Sequence, residues 1–113
     1  MKREVFDKIV EDRIISIRSG LLMKGVEYQR DEDVLHNFER GSNITGEIRE
    51  KIIWNFALKH YISILDMIDD IANNKIPTTK YVEEKLGDLI NYSILLEAAI
   101  KERIKMREIA TVK

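Results

Sequence analysis

A single proline, Pro77, and five glycines are all that 113 residues offer to interrupt a helix. Proline removes a backbone donor and glycine in a helix interior costs about 1 kcal/mol, so a chain this poor in both tends to run on as long helices. Apolar residues recur at helical intervals almost throughout. Phe6, Val10, Ile14, Ile17 and Leu21 follow one another at steps of four, four, three and four, which lays one apolar stripe along a helix. This predicts a first helix from about Arg3 to Met23, stopped by Gly25. Asp31, Glu32 and Asp33 favour the start of a short helix carrying Val34, Leu35 and Phe38. Residues 41–46 read as a loop, after which Thr45 caps a second helix with Glu47 in its first turn, reaching about Asn73. Pro77 forbids continuation, Thr78 or Thr79 caps a third helix, and that helix runs to about Arg107, with residues 1–2 and 108–113 as frayed ends.

The expected fold is therefore a single all-α domain over residues 1–113. Two long helices pack as an antiparallel bundle with a shorter N-terminal helix. Helices of about 28 residues are roughly 42 Å long at 1.5 Å per residue, longer than a compact domain of this size is wide. The third helix is also apolar almost all the way round between Tyr92 and Ile100, interrupted only by Ser93 and Glu97. Such a helix needs neighbours on several sides, so completion of the bundle by a homo-oligomer, a dimer or higher, is expected.

Composition narrows the class further. With 44% apolar and 35% charged residues the chain belongs among globular proteins. A net charge of −1 supplies no broad positive field, so duplex nucleic acid is not an expected partner. The absence of cysteine excludes disulfides, thiol catalysis and thiolate zinc sites. Charges at Lys2, Arg3, Glu4, Asp7 and Lys8 interrupt the apolar run a signal peptide needs, and no later run reaches spanning length. A cytoplasmic protein with no membrane partner is expected, in the host cytoplasm if the chain is phage-encoded.

Two polar lines carry the candidate chemistry. On the third helix Glu84, Asp88 and Asn91 are spaced by four and three, which brings their side chains one above the other. On the second, Lys59, Ser63, Asp66 and Asp70 repeat at four, three and four. An antiparallel turn at Pro77 would set Asp66 and Asp70 near the height of Glu84 and Asp88. Four carboxylates at one level repel without a cation, which points to a magnesium or manganese site, Mg2+ being the expected cofactor, with Lys59 left to meet phosphate oxygens. The structural alternative is that both lines are simply the wet faces of amphipathic helices.

His60, one residue round from its line, is a candidate proton carrier near neutral pH and equally a hydrogen-bonded rim residue. The segment from Lys24 to Phe38 places Lys24, Tyr28 and Asn37 where a loop could hold a base and its phosphates, or where Tyr28 and Phe38 would only seal the core. There is no Gly-x-Ser-x-Gly turn, phosphate-binding glycine loop or His-Glu-x-x-His, so triad hydrolases, P-loop enzymes and zinc peptidases lack a basis.

Taken in order, Lys24 to Tyr28, Asp33 to Phe38, Lys59-His60 with Ser63 and Asp66, and Glu84-x-x-x-Asp88-x-x-Asn91-Tyr92 span about residues 3 to 103. This arrangement resembles the phage and prophage nucleotide modification associated family. That family in turn resembles the all-α nucleoside triphosphate pyrophosphatases of the MazG and dimeric dUTPase type, which hold magnesium through two acidic pairs. The resemblance implies metal ligation by Asp66, Asp70, Glu84 and Asp88. It implies nucleotide contacts from Lys24, Tyr28, Asn37, Lys59, Ser63, Asn91 and Tyr92, and catalytic help from His60 and Lys59. Lys85 stands where an acid belongs three residues before Asp88, and the first pair is aspartate rather than glutamate. The implied function is a phage-type nucleotide-binding protein, with Mg2+-dependent pyrophosphohydrolysis of a nucleoside triphosphate as its reaction. The alternative is a non-enzymatic helical phage protein that binds a host protein or sequesters a nucleotide.

Overall fold

The computed structural model describes residues 1–30 and 32–112, the side chains of residues 24–28 and 112 excepted. Four helices make up the all-α fold: α1 (Arg3–Tyr28), α2 (His36–Thr45), α3 (Arg49–Ala72) and α4 (Thr79–Val112). No helix among the described residues is long and apolar enough to cross a membrane.

The helix ends follow local chemistry. After α1, Arg30 and Asp33 exchange both backbone N–H···O bonds at 3.1 and 2.9 Å. Asp33 then accepts the Leu35 amide on its Oδ1 at 3.0 Å, as an acid ahead of a helix should. At the other long turn, Asn73 closes α3 with its amide on the Asp69 and Asp70 carbonyls, and Thr78 Oγ1 accepts the Tyr81 amide at 3.2 Å to open α4.

Three boundaries differ from expectation. α1 continues through Gly25 to Tyr28, because one glycine's cost of about 1 kcal/mol does not stop a helix of this length. Residues 41–45, expected as loop, belong to α2. There Thr45 Oγ1 donates back to the Gly41 carbonyl at 2.8 Å and accepts the Glu47 amide at 3.2 Å. The stop is Gly46 instead, left-handed at φ 77°, with its amide on the Ser42 carbonyl. α3 consequently begins at Arg49, after Ile48, with Glu50 rather than Glu47 in its first turn. Finally α4 extends past Arg107 to Val112, where nothing in the sequence breaks it.

α3 and α4 form the antiparallel pair: Arg49 meets Ala99 and Glu102 at one end, and His60 meets Asp88 further along. α1 packs against α4 and ascends with it, Arg13 lying beside Glu83 and Gly20 beside Asn91. The approach at Gly20 is tight, since a Cβ there would sit 2.8 Å from Asn91 Nδ2. The buried core is small and lies where α2 crosses the α3/α4 pair. Phe38 and Ile53 are fully enclosed, with Leu35, Ala57, Tyr92, Leu95 and Ala99 around them. Fully burying a phenylalanine is worth about 2–3 kcal/mol, so Phe38 is the main anchor of the ten-residue α2.

A buried guanidinium reinforces that anchor. Arg49 Nη1 donates to Glu39 Oε1 on α2 and to Glu102 Oε1 on α4, each at 2.7 Å, and Nη2 donates to the Ala99 carbonyl at 2.7 Å. Its Nε reaches Glu50, which also takes two bonds from Arg103. Burial works against the charge on Arg49, but Glu102, Glu39 and Glu50 outweigh it and its pKa rises. The Arg103 guanidinium, helped by Arg49 and opposed by burial, pulls the Glu50 carboxyl down to about 2.

Candidate functional site

The packed face of α4 is the line that carries Asp88, Asn91, Tyr92, Leu95 and Ala99, spaced three, one, three and four apart along the helix. This overturns the wet-face alternative for Asp88 and Asn91: Asn91 is buried and Asp88 half-buried, whereas Glu84 at the start of the same line is exposed. The line divides because at about 3.6 residues per turn steps of three and of four rotate in opposite senses about the axis, so Asp88 and Tyr92 face α3 while Asn91 faces α1.

On the α3 side the geometry is aromatic. The Tyr92 ring lies nearly parallel to both Phe56 and His60, at centroid distances of 6.0 and 5.4 Å. Phe38 meets Phe56 edge-on at 5.8 Å, so the cluster continues into the core. His60 Nδ1 lies 3.6 Å from Asp88 Oδ2. These groups border an open depression of about 400 Å3, lined by Asn55, Phe56, Lys59, His60 and Tyr92. Asn55, Phe56 and Lys59 are its exposed members.

Of the residues singled out in the sequence, Lys59, His60, Asp88 and Tyr92 are thus brought together. Tyr92 is 5% exposed and offers a ligand no free ring face, so its part is to position Phe56 and His60. Asn91 stands apart between α1 and α4, with its Oδ1 buried and without a hydrogen-bond donor among the described residues. Ser63 does not line the depression and donates its hydroxyl to the Lys59 carbonyl within its own helix, at 3.1 Å. Asn37 is exposed on α2. The side chains of Lys24 and Tyr28 lie outside the described residues.

The four carboxylates do not assemble in one chain. Asp66, Asp70 and Glu84 are all exposed, and among the described residues no three acidic or histidine side chains gather closely enough to hold a metal ion. Height separates the α3 acids from Asp88. Arg49 pairs with Glu102 and His60 with Asp88, so the antiparallel register carries Asp66 and Asp70 roughly 9 and 15 Å beyond the Asp88 level at about 1.5 Å per residue.

Sequence reasoning missed Phe56 and the Arg49 network. Phe56 lies four residues before His60, a spacing that puts both on one face. Arg49 carries little local signal, because apart from the adjacent Glu50 its partners come from α2 and α4. Comparison with protein-family models, with curated proteins and with solved structures found no match in any of the three.

Proposed function

We propose that the chain is a nucleotide-binding helical protein that works as a homo-oligomer. The observation that carries this reading is the depression in which the exposed Phe56 ring stands beside the Lys59 ammonium and the His60 imidazole. A planar ring bearing an anion is the ligand such a wall suits: the base stacks on Phe56, and Lys59 and His60 face the phosphates. The resemblance to the nucleotide modification associated family and its pyrophosphatase relatives supports the same ligand class. Mg2+ would arrive on the phosphates, with Asp88, held against His60, as the nearest carboxylate of the chain.

Pyrophosphohydrolysis, the reaction implied by that resemblance, would need further carboxylates at this level. Exposed Asp66, Asp70 and Glu84 are free to supply them to a second copy, so the reaction is tied to assembly. Thermal-shift measurements with a panel of nucleotides, with and without Mg2+, test the binding. A ligand at a hundred times its Kd stabilises the folded state by about 2.7 kcal/mol, which a melting curve resolves. A shift that vanishes in Lys59→Ala is expected. No shift with any nucleotide at millimolar concentration would favour the protein-binding alternative. Release of pyrophosphate that is lost in folded Glu84→Gln and Asp88→Asn proteins would place hydrolysis at these carboxylates.

A further inference from the structure

A chain of this length folded compactly has a radius of gyration of about 13 Å, whereas this one measures 17.2 Å over extents of 56 × 31 × 26 Å. Part of the exposed apolar surface gathers in one groove. Between α1 and the start of α4, with the α3–α4 turn at one end, lies an apolar groove of about 700 Å3. Ile9, Val10, Ile14, Ile71, Ile76 and Leu86 line it and are between 36% and 75% exposed. We infer that this groove is the interface with a second copy of the chain, which inserts the same surface across a two-fold axis. The inference rests on the oligomeric reading proposed above and names the face that forms the assembly.

Three observations select a second copy as the occupant. Six aliphatic side chains, each between 36% and 75% exposed, share one groove, an apolar, charge-poor centre of the kind that homodimer interfaces bury. The patch holds both halves of a fit. Ile76, at 75% the most exposed of the six, projects from the α3–α4 turn, and the channel beside it between Ile9, Val10 and Ile14 is open to receive such a side chain. A two-fold axis needs a knob and a hole on the same surface, because each copy must supply both.

The groove's charges are also self-complementary. Its only charged members are Arg13 and Glu83. Arg13 donates to the Glu83 backbone carbonyl at 3.2 Å within the chain, but the Arg13 guanidinium and the Glu83 carboxylate make no ion pair with each other or with other described residues. Across a two-fold axis, Arg13 of one copy meets Glu83 of the other, twice. α1 places its Lys8–Asp12 ion pair on the side turned away from the groove.

Light scattering on the full chain at about 10 µM, a concentration at which a standard-size interface is occupied, tests this with variants whose folding is checked by circular dichroism. The wild type is expected at twice the chain mass, and Ile14→Glu and Ile76→Glu at the chain mass. Ile104→Glu, which removes an exposed isoleucine near the far end of α4, should stay dimeric. Arg13→Glu and Glu83→Arg should each weaken the dimer at least tenfold, and the two together should restore it. A monomeric wild type overturns the oligomeric reading itself. A dimer that survives both groove variants, or that Ile104→Glu breaks, overturns the groove while leaving the oligomer standing. All the variants lie away from Lys59 and Phe56, so nucleotide-induced thermal shifts remain a separate readout.

Discussion

His60 on α3 and Asp88 on α4 face each other across the helix seam, Nδ1 to Oδ2 at 3.6 Å, with side chains 14% and 23% exposed. The pair is sheltered enough for the charge on one to be felt by the other, because water screens it only from one side. It lies at the level where Tyr92 lies nearly parallel to Phe56 and His60. One short stretch of the α3/α4 seam therefore holds together a carboxylate, an imidazole and two aromatic rings beside the Lys59 ammonium.

Phe56→Ala should separate binding from folding. The ring is 47% exposed yet touches both Tyr92 and Phe38, so its loss is expected to cost about 1–2 kcal/mol of stability. That leaves a folded protein in urea titration with a weakened nucleotide response. Lys59→Ala, which removes only an exposed chain, should leave the ligand-free melting temperature unchanged.

Arg49→Ala should be far more damaging than its position at a helix start suggests. It strips one guanidinium from three carboxylates and the Ala99 carbonyl. Because Glu39 and Glu102 can turn to water, the expected cost is about 3 kcal/mol, the lower end for breaking a buried pair. Loss of hydrogen-exchange protection across α2 before the rest of the chain would be its signature.

Acid should loosen the same junction. The Glu50 carboxyl is held at about 2 by Arg103 first and by Arg49 as well. A folded pKa below the unfolded value gives stability that is fully present above the unfolded pKa of about 4.3 and is lost as pH falls through the folded one. Between pH 5 and 2 this group alone should remove on the order of 2 kcal/mol, trimmed because Arg103 is half exposed. In Glu50→Gln the melting temperature at neutral pH should already be lower and its decline over that range shallower.

Gly20 and Asn91 should behave as one unit. Gly20→Ala gains helix propensity worth about 1 kcal/mol, but its Cβ would stand 2.8 Å from the buried Asn91 amide. The single variant is expected to lower the melting temperature. In Asn91→Ala the same glycine replacement should become stabilising, so a double-mutant cycle should give a coupling of about 1 kcal/mol or more.

Those residues also mark what was legible in the sequence. The helices themselves were, because Phe6 to Leu21 and the lone Pro77 act through neighbours in the chain. Thr78 as a cap belongs to the same local class. The end of α2 at Gly46 rather than its start at Gly41 was not, since a glycine stops a helix only when its backbone turns left-handed. The candidate site was half legible: Lys59, His60, Asp88 and Tyr92 were singled out, but the face they occupy was misjudged. Spacing tells which residues share a side of a helix, whereas which side is covered depends on how α1 and α2 dock. The four carboxylates illustrate this: helical spacing aligned them in pairs, and the register of α3 on α4, with His60 rather than Asp66 or Asp70 level with Asp88, kept them apart.

The central claim is that the wall formed by Phe56, Lys59 and His60 receives a nucleotide. Its most direct test is a nuclear magnetic resonance titration of labelled protein with nucleoside triphosphates and Mg2+, following the Phe56 and His60 ring signals and the Lys59 side chain. The account predicts saturable shifts at these three groups, with the α1–α4 groove signals unchanged. Saturable binding that moves the groove or the exposed end of α4 instead, or no shift at millimolar nucleotide, would contradict it.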